Sequence, residues 1–299
     1  MEKVIDKKDY CTGWWLVFIT ISVMGAIELF IPERIAENHY YGVQFLKEGS
    51  IIIPCIIGFF HLLKRKELKA FKFSKLNVWL IPVICILPVV AGQFINVFTS
   101  PLNGVTSFLF GLVRGGKPER TSEIFFAIIT MCIIAPILEE LLFRGLLMHY
   151  FKDYGVVVSL MVSAVAFAII DFSPDTFFNV LFIGILLGVV RIATDSLWAC
   201  MLVHGIKNTI ELILLFIPFI HQNITTAFLV ISIIAFPVTL YLMLKLAPSE
   251  KRELIVYEPL KKTELSIGMI LCMSTYIIYL MMIILIKLDI FLSGIMYIV

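Results

Sequence analysis

Charge is what this chain most lacks. Asp, Glu, Lys and Arg make up 15% of its 299 residues, while 60% are hydrophobic. An ordinary soluble domain carries roughly 25% charged residues, so a soluble globular protein is excluded. Cysteines in metal-binding spacing are also missing: the six present are scattered singly, with no CxxC, and read as small buried hydrophobes. No HExxH, GxSxG or phosphate-loop pattern occurs, which leaves soluble zincins, serine hydrolases and P-loop transporters without support. The formal net charge of +2 gives no sign of nucleic-acid binding, and none is expected. No internal repeat is visible, which counts against a secondary transporter. Lys3, Lys7 and Lys8 precede the first apolar run without a small-residue cleavage site, so a retained first span is expected.

Apolar runs fill the rest. They predict an all-α polytopic membrane bundle of about eight to nine transmembrane helices, at 13–31, 43–63, 78–99, 123–151, 156–171, 177–192, 196–220, 225–245 and 264–286. Lys47 and Glu48 fall near the outer end of the second run, where their side chains could snorkel to the interface. Residues 102–122 read as an interfacial turn or short helix, and Asp195 or Ser196 suits the N-cap of the seventh span. The organisation expected is N-terminal spans and loops at 1–122, a core at 123–220 and C-terminal spans at 221–299. The basic loops 64–75, 152–155 and 245–262 share one side with the N-terminus. The positive-inside rule makes that side cytoplasmic, in what is expected to be the cell membrane.

Against this apolar ground stands Ala135-Pro136-Ile137-Leu138-Glu139-Glu140-Leu141-Leu142-Phe143-Arg144-Gly145. Ionisable groups at membrane depth are costly and by default mark function. Glu140 and Arg144 are i, i+4 and can pair along one side of a helix, whereas Glu139 points about 100° away. Glu139 is then the free, desolvated carboxylate, a better base toward water. The same three residues read equally well as a structural ion network. His204 and Asn208, also i, i+4, could stabilise an oxyanion, ligate a metal, or simply bond helices together. Asp171 either joins them or caps a helix at the outer interface. By helix rise, Glu139, Asp171 and His204 lie about 18, 22 and 13 Å into their spans, all near mid-depth in a core roughly 30 Å thick.

Three segments together resemble the CPBP family of intramembrane proteases, also called the Abi or type II CAAX prenyl protease family. Its EExxxR pattern appears as Glu139-Glu140-Leu141-Leu142-Phe143-Arg144 and its HxxxN pattern as His204 to Asn208. The middle FxxxH pattern departs: Phe167 matches, but Asp171 stands where histidine is expected. The resemblance implies a membrane-associated peptide or protein substrate in a lipid bilayer. It implies Glu139 and the middle motif as the water-activating pair, and His204 with Asn208 at the oxyanion. It also implies either a divalent metal, zinc or another, or metal-free water activation. Glu139, Asp171 and His204 would be the donors to a hard cation. The alternative is a catalytically silent relative that binds a membrane peptide as an immunity or regulatory protein, because Asp171 replaces the histidine.

Overall fold

The computed structural model describes residues 7–110, 118–171, 176–216, 218–246, 269–278 and 281. All of the long elements are helical, and the sole pairing of extended residues among those described is one bridge between Phe73 and Ser196. Six helical stretches are long and apolar enough to cross a membrane: Tyr10–Glu28, Tyr40–Lys64, Leu80–Thr106, Thr121–Tyr150, Phe177–Thr194 and Leu197–Phe216. Three shorter apolar helices, Val156–Ile170, Val230–Leu246 and Met269–Ile278, accompany them. The protein is an all-α polytopic bundle. The basic residues Lys251, Arg252, Lys261 and Lys262, the Arg114–Lys117 turn, the 172–175 break and most of the ninth span lie outside the described residues.

In chain order the elements are α1 (Lys7–Phe30), α2 (Glu33–Asn38), α3 (Tyr40–Ser50), α4 (Ile52–Lys64) and α5 (Leu80–Phe110). The fourth span follows in pieces: α6 (Thr121–Ile129), a π-helical Thr130–Ile134, α7 (Ala135–Glu140), a second π segment Leu141–Leu147, and α8 (Met148–Tyr150). Then come α9 (Val156–Ile170), α10 (Phe177–Thr194), α11 (Leu197–Phe216) and α12 (Pro218–Leu246). One large buried cluster runs from Tyr10 on α1 to Cys272 near the C-terminus.

Several details differ from the sequence reading. The chain does not turn at residue 102, because α5 continues through Pro101 to Phe110. Proline removes one backbone donor and kinks a helix without ending it when packing supplies partners, and α5 packs along α10, α11 and α12. Lys47 does not snorkel: it is 5% exposed and its Nζ lies 2.9 Å from Glu28 Oε2 on the neighbouring α1. Asp195 adopts a left-handed conformation at the end of α10 and pairs with Arg191 and Lys72, while Ser196 Oγ donates to Ser74 O.

The two ends of the bundle differ in charge. At one end the 65–75 loop is strapped to the α10–α11 turn: Leu197 N–H donates to Lys72 O and Arg191 Nη2 to Ala70 O. Lys152 reaches Glu67 at the same end. At the other end, Glu123 accepts the Tyr41 backbone N–H at 2.8 Å, filling an orphan donor at the start of α3, and Arg120 donates to Asn38 O. The described basic loops therefore gather on one face, as the span count requires.

Candidate active site

The two π segments bracket the paired glutamates, and Pro136 explains the first. It has no N–H, so it cannot donate to either the α or the π acceptor on the preceding turn. Met131 O, the carbonyl five residues before Pro136, takes the Asn208 side-chain Nδ2–H at 2.9 Å instead. α11 comes close enough for this because residue 205 is glycine: a Cβ there would sit 3.1 Å from Cys132 O. In the second π segment, Phe143 O accepts Ser163 Oγ–H at 3.1 Å from α9. Asn208 thus holds α11 to the fourth span through one N–H of its amide, and the other remains for further use.

Glu140 and Arg144 pair as their spacing predicts, with Nη1 3.0 Å from Oε1 and both side chains at 0% exposure. Arg144 Nη2 donates to Gly184 O at 2.9 Å, across to α10. The carbonyl is reachable because α9 and α10 nearly touch there, where a Cβ on Gly184 would lie 3.1 Å from Ala164 Cα. Phe167 lies with its face 4.7 Å from the Arg144 guanidinium carbon. Such cation–π contact is worth on the order of 1–2 kcal/mol when desolvated.

His204 joins the two glutamates. Its Nδ1 is 2.9 Å from Glu140 Oε1 and its Nε2 is 3.4 Å from Glu139 Oε2. Glu140 is the salt-bridged carboxylate and accepts only, so Nδ1 carries a proton and donates. That fixes the ring's tautomer: in the neutral imidazole, Nε2 is a bare acceptor turned toward Glu139. Phe167 packs edge-on against the ring at 5.7 Å and 85°, holding its plane.

Glu139 is 15% exposed and lines a cavity of about 260 Å³ together with Phe167, Asp171, His204 and Asn208. The sequence reading left Glu139 free of partners; it instead meets His204 and shares the cavity wall with Glu48 of α3. Glu48 is one of the lining residues that sequence reasoning missed. The available signal was an acid in an apolar run, read as a span-end residue. Lys207 and Glu211, paired at 2.8 Å on α11, add to the polar wall.

Asp171 reaches the same cavity from the end of its helix. α9 ends at Ile170, Asp171 follows as its C-terminal cap, and the residue is exposed. At 15 residues, α9 is about 22 Å long, short of a core roughly 30 Å thick. Asp171 Oδ2 accepts from Thr176 Oγ1 at 3.3 Å. Among the described residues, no group of three or more His, Cys, Asp or Glu side chains comes together in a way that could hold a metal ion. Glu139, Asp171 and His204 therefore line one cavity without the convergence a metal requires.

Glutamate pair, arginine, histidine and asparagine all sit between α6 and α11. Residues 120–210 match the family model Type II CAAX prenyl endopeptidase Rce1-like. The match takes in both glutamates, Arg144, Phe167, His204 and Asn208, and also Asp171 at the departing position. It covers less than a third of the chain, and Glu48 lies outside it. Comparison with curated proteins and with solved structures finds no match. A bundle of apolar helices makes this an integral membrane protein, with a segment similar to that protease family at residues 120–210.

Proposed function

We propose that the protein is an intramembrane endopeptidase that hydrolyses a membrane-associated peptide or protein by attack of a side-chain-activated water. The observation that carries this reading is His204 held between Glu140 and Glu139 on the wall of a cavity inside the Rce1-like segment.

The water's oxygen adds to the scissile carbonyl carbon as Glu139 takes its proton. Glu139 is suited to this because it is desolvated and is the glutamate that Arg144 does not neutralise. His204 Nε2, facing Glu139, accepts a hydrogen bond from the same water. The free N–H of Asn208 donates to the oxyanion, and as the intermediate collapses His204 Nε2 takes the second water-derived proton from the nascent carboxyl group and later releases it to solvent. Glu140 stabilises the imidazolium through Nδ1, and Arg144 holds Glu140 in place for that contact. Collapse of the tetrahedral intermediate breaks the C–N bond, and the proton held at Glu139 passes to the leaving amine. Asp171 adds a second acceptor at the cavity's exposed side.

A second reading rests on one residue. Asp171 occupies the position of the family pattern's histidine, which suits a relative that binds a membrane peptide without cutting it. One experiment separates the two: cleavage of a mixed peptide pool by purified protein in detergent, scored by mass spectrometry, beside Glu139→Gln and Asp171→His. The expected result is turnover by the natural protein that falls about 10²–10⁴-fold in Glu139→Gln, the usual worth of a general base. Silence from the natural protein with activity gained in Asp171→His would overturn the enzyme reading in favour of the binding one.

A further inference from the structure

A second cavity, of about 200 Å³, lies at the basic end of the bundle. It is formed by the short 3-10 turn Leu68–Phe71, the end of the fourth span, the start of α9 and the last turns of α10. Lys69, Arg144, His149, Lys152 and Arg191 line it, with Asp195 the acidic group among the lining residues.

Its charges do not balance. Arg144 is matched by Glu140. Of the remaining lining cations, Lys152 pairs with Glu67 and Arg191 with Asp195, which also takes Lys72, while Lys69 adds a further positive charge. Donors are also in excess. Arg144 Nε and Arg191 Nε are buried and meet no hydrogen-bond acceptor among the described residues. Arg144 is 1% exposed, so water does not freely serve it. Buried guanidinium N–H groups left unmatched are costly, and they point to an acceptor-rich occupant. A tetrahedral oxyanion supplies several acceptor oxygens and the negative charge at once. The cavity also sits on the face where the lysine-rich loops gather, the face that meets anionic headgroups in a cytoplasmic leaflet.

We propose that this cavity binds a phosphate group, through Lys69, Lys152 and Arg191 at its rim and Arg144 at its back wall. Phosphate is the shared chemistry of a lipid headgroup and of the free ion. This site does not depend on the hydrolase reading, since it would hold in an enzyme and in a silent relative alike. Because Arg144 lines this cavity and pairs with Glu140, an occupant there touches the same side chain that fixes Glu140.

The test uses the full chain in neutral-lipid nanodiscs, with inorganic phosphate titrated by calorimetry. In parallel, native mass spectrometry compares lipids retained from phosphatidylcholine and phosphatidylglycerol mixtures. Lys69→Gln and the double variant Lys69→Gln, Lys152→Gln are set beside Lys75→Gln, which removes a charge from the same loop outside the cavity. The double variant is expected to lose about tenfold or more in affinity, as removal of charge-assisted contacts should. Lys75→Gln is expected to be unchanged. Saturable phosphate binding identifies the free ion as an occupant; selective retention of phosphatidylglycerol alone identifies the headgroup. Lys69 is exposed, so its single variant keeps the test valid if the double variant fails to fold. Absence of both forms of binding, or an equal loss in Lys75→Gln, would overturn the proposal.

Discussion

Two clusters in this protein are built from the same three kinds of side chain. Glu140, His204 and Arg144 form one; Glu67, His149 and Lys152 form the other. The first is sealed between helices, at 0–4% side-chain exposure, whereas Glu67 and Lys152 are 31% and 39% exposed at the basic end. The distances are alike, 2.9 and 3.0 Å in one and 2.7 and 3.1 Å in the other. Solvent is the difference. A buried ion pair that loses one partner leaves a stranded charge, while an exposed pair is screened and its members fall back on water. Contact geometry by itself therefore does not rank the two clusters. Only the sealed one can hold a histidine in one tautomer beside a second carboxylate.

The comparison can be broken most sharply at Arg144. Replacing it with Met should strand the Glu140 carboxylate and destabilise the fold by about 3–5 kcal/mol, read as a large drop in melting temperature in detergent. A change no greater than that of a surface variant would mean that Glu140 is not a buried ion. Next in size, Gly205→Ala should cost about 1–3 kcal/mol and weaken the Asn208 contact, because its methyl would press on Cys132 O. Thermal unfolding, together with turnover where it is measurable, would register this. Lys152→Gln, in the exposed cluster, should cost only about 0.2–1 kcal/mol by the same unfolding assay.

The smallest effect is one of pH. The hydrogen bond from His149, with help from Lys152 and Arg65, holds the Glu67 carboxyl down from its ordinary 4.5 to about 2. A depressed folded-state value stabilises the fold above the unfolded-state value and fades as acid titrates the folded carboxylate. The contribution of Glu67 should be full above about 4.5 and lost as pH falls toward about 2. The melting-temperature gap between the natural protein and Glu67→Gln should accordingly close across that window. A gap that stays constant with pH would show that the pair contributes no charge-dependent stability.

Much of the site was legible because its logic is local. The i, i+4 spacing sets Glu140 against Arg144 whatever surrounds the helix, and the apolar runs announce the spans. Glu48 was not legible. An acid near the end of a run looks the same whether it snorkels or turns inward, and only the packing of α3 against the fourth span separates these outcomes.

By itself the sequence determined the bundle, its helices and the Glu140–Arg144 pair, since hydrophobic period and helical spacing act within a few turns. Tertiary structure decided who meets Glu139. His204 lies 64 positions beyond Glu140 and reaches it only because α11 closes on the fourth span. That approach rests on the missing side chain of Gly205 and on the carbonyl of Met131 left open to Asn208 where Pro136 has no hydrogen to give. Distant contacts of this kind depend on how whole helices fit, and no short-range pattern encodes that fit.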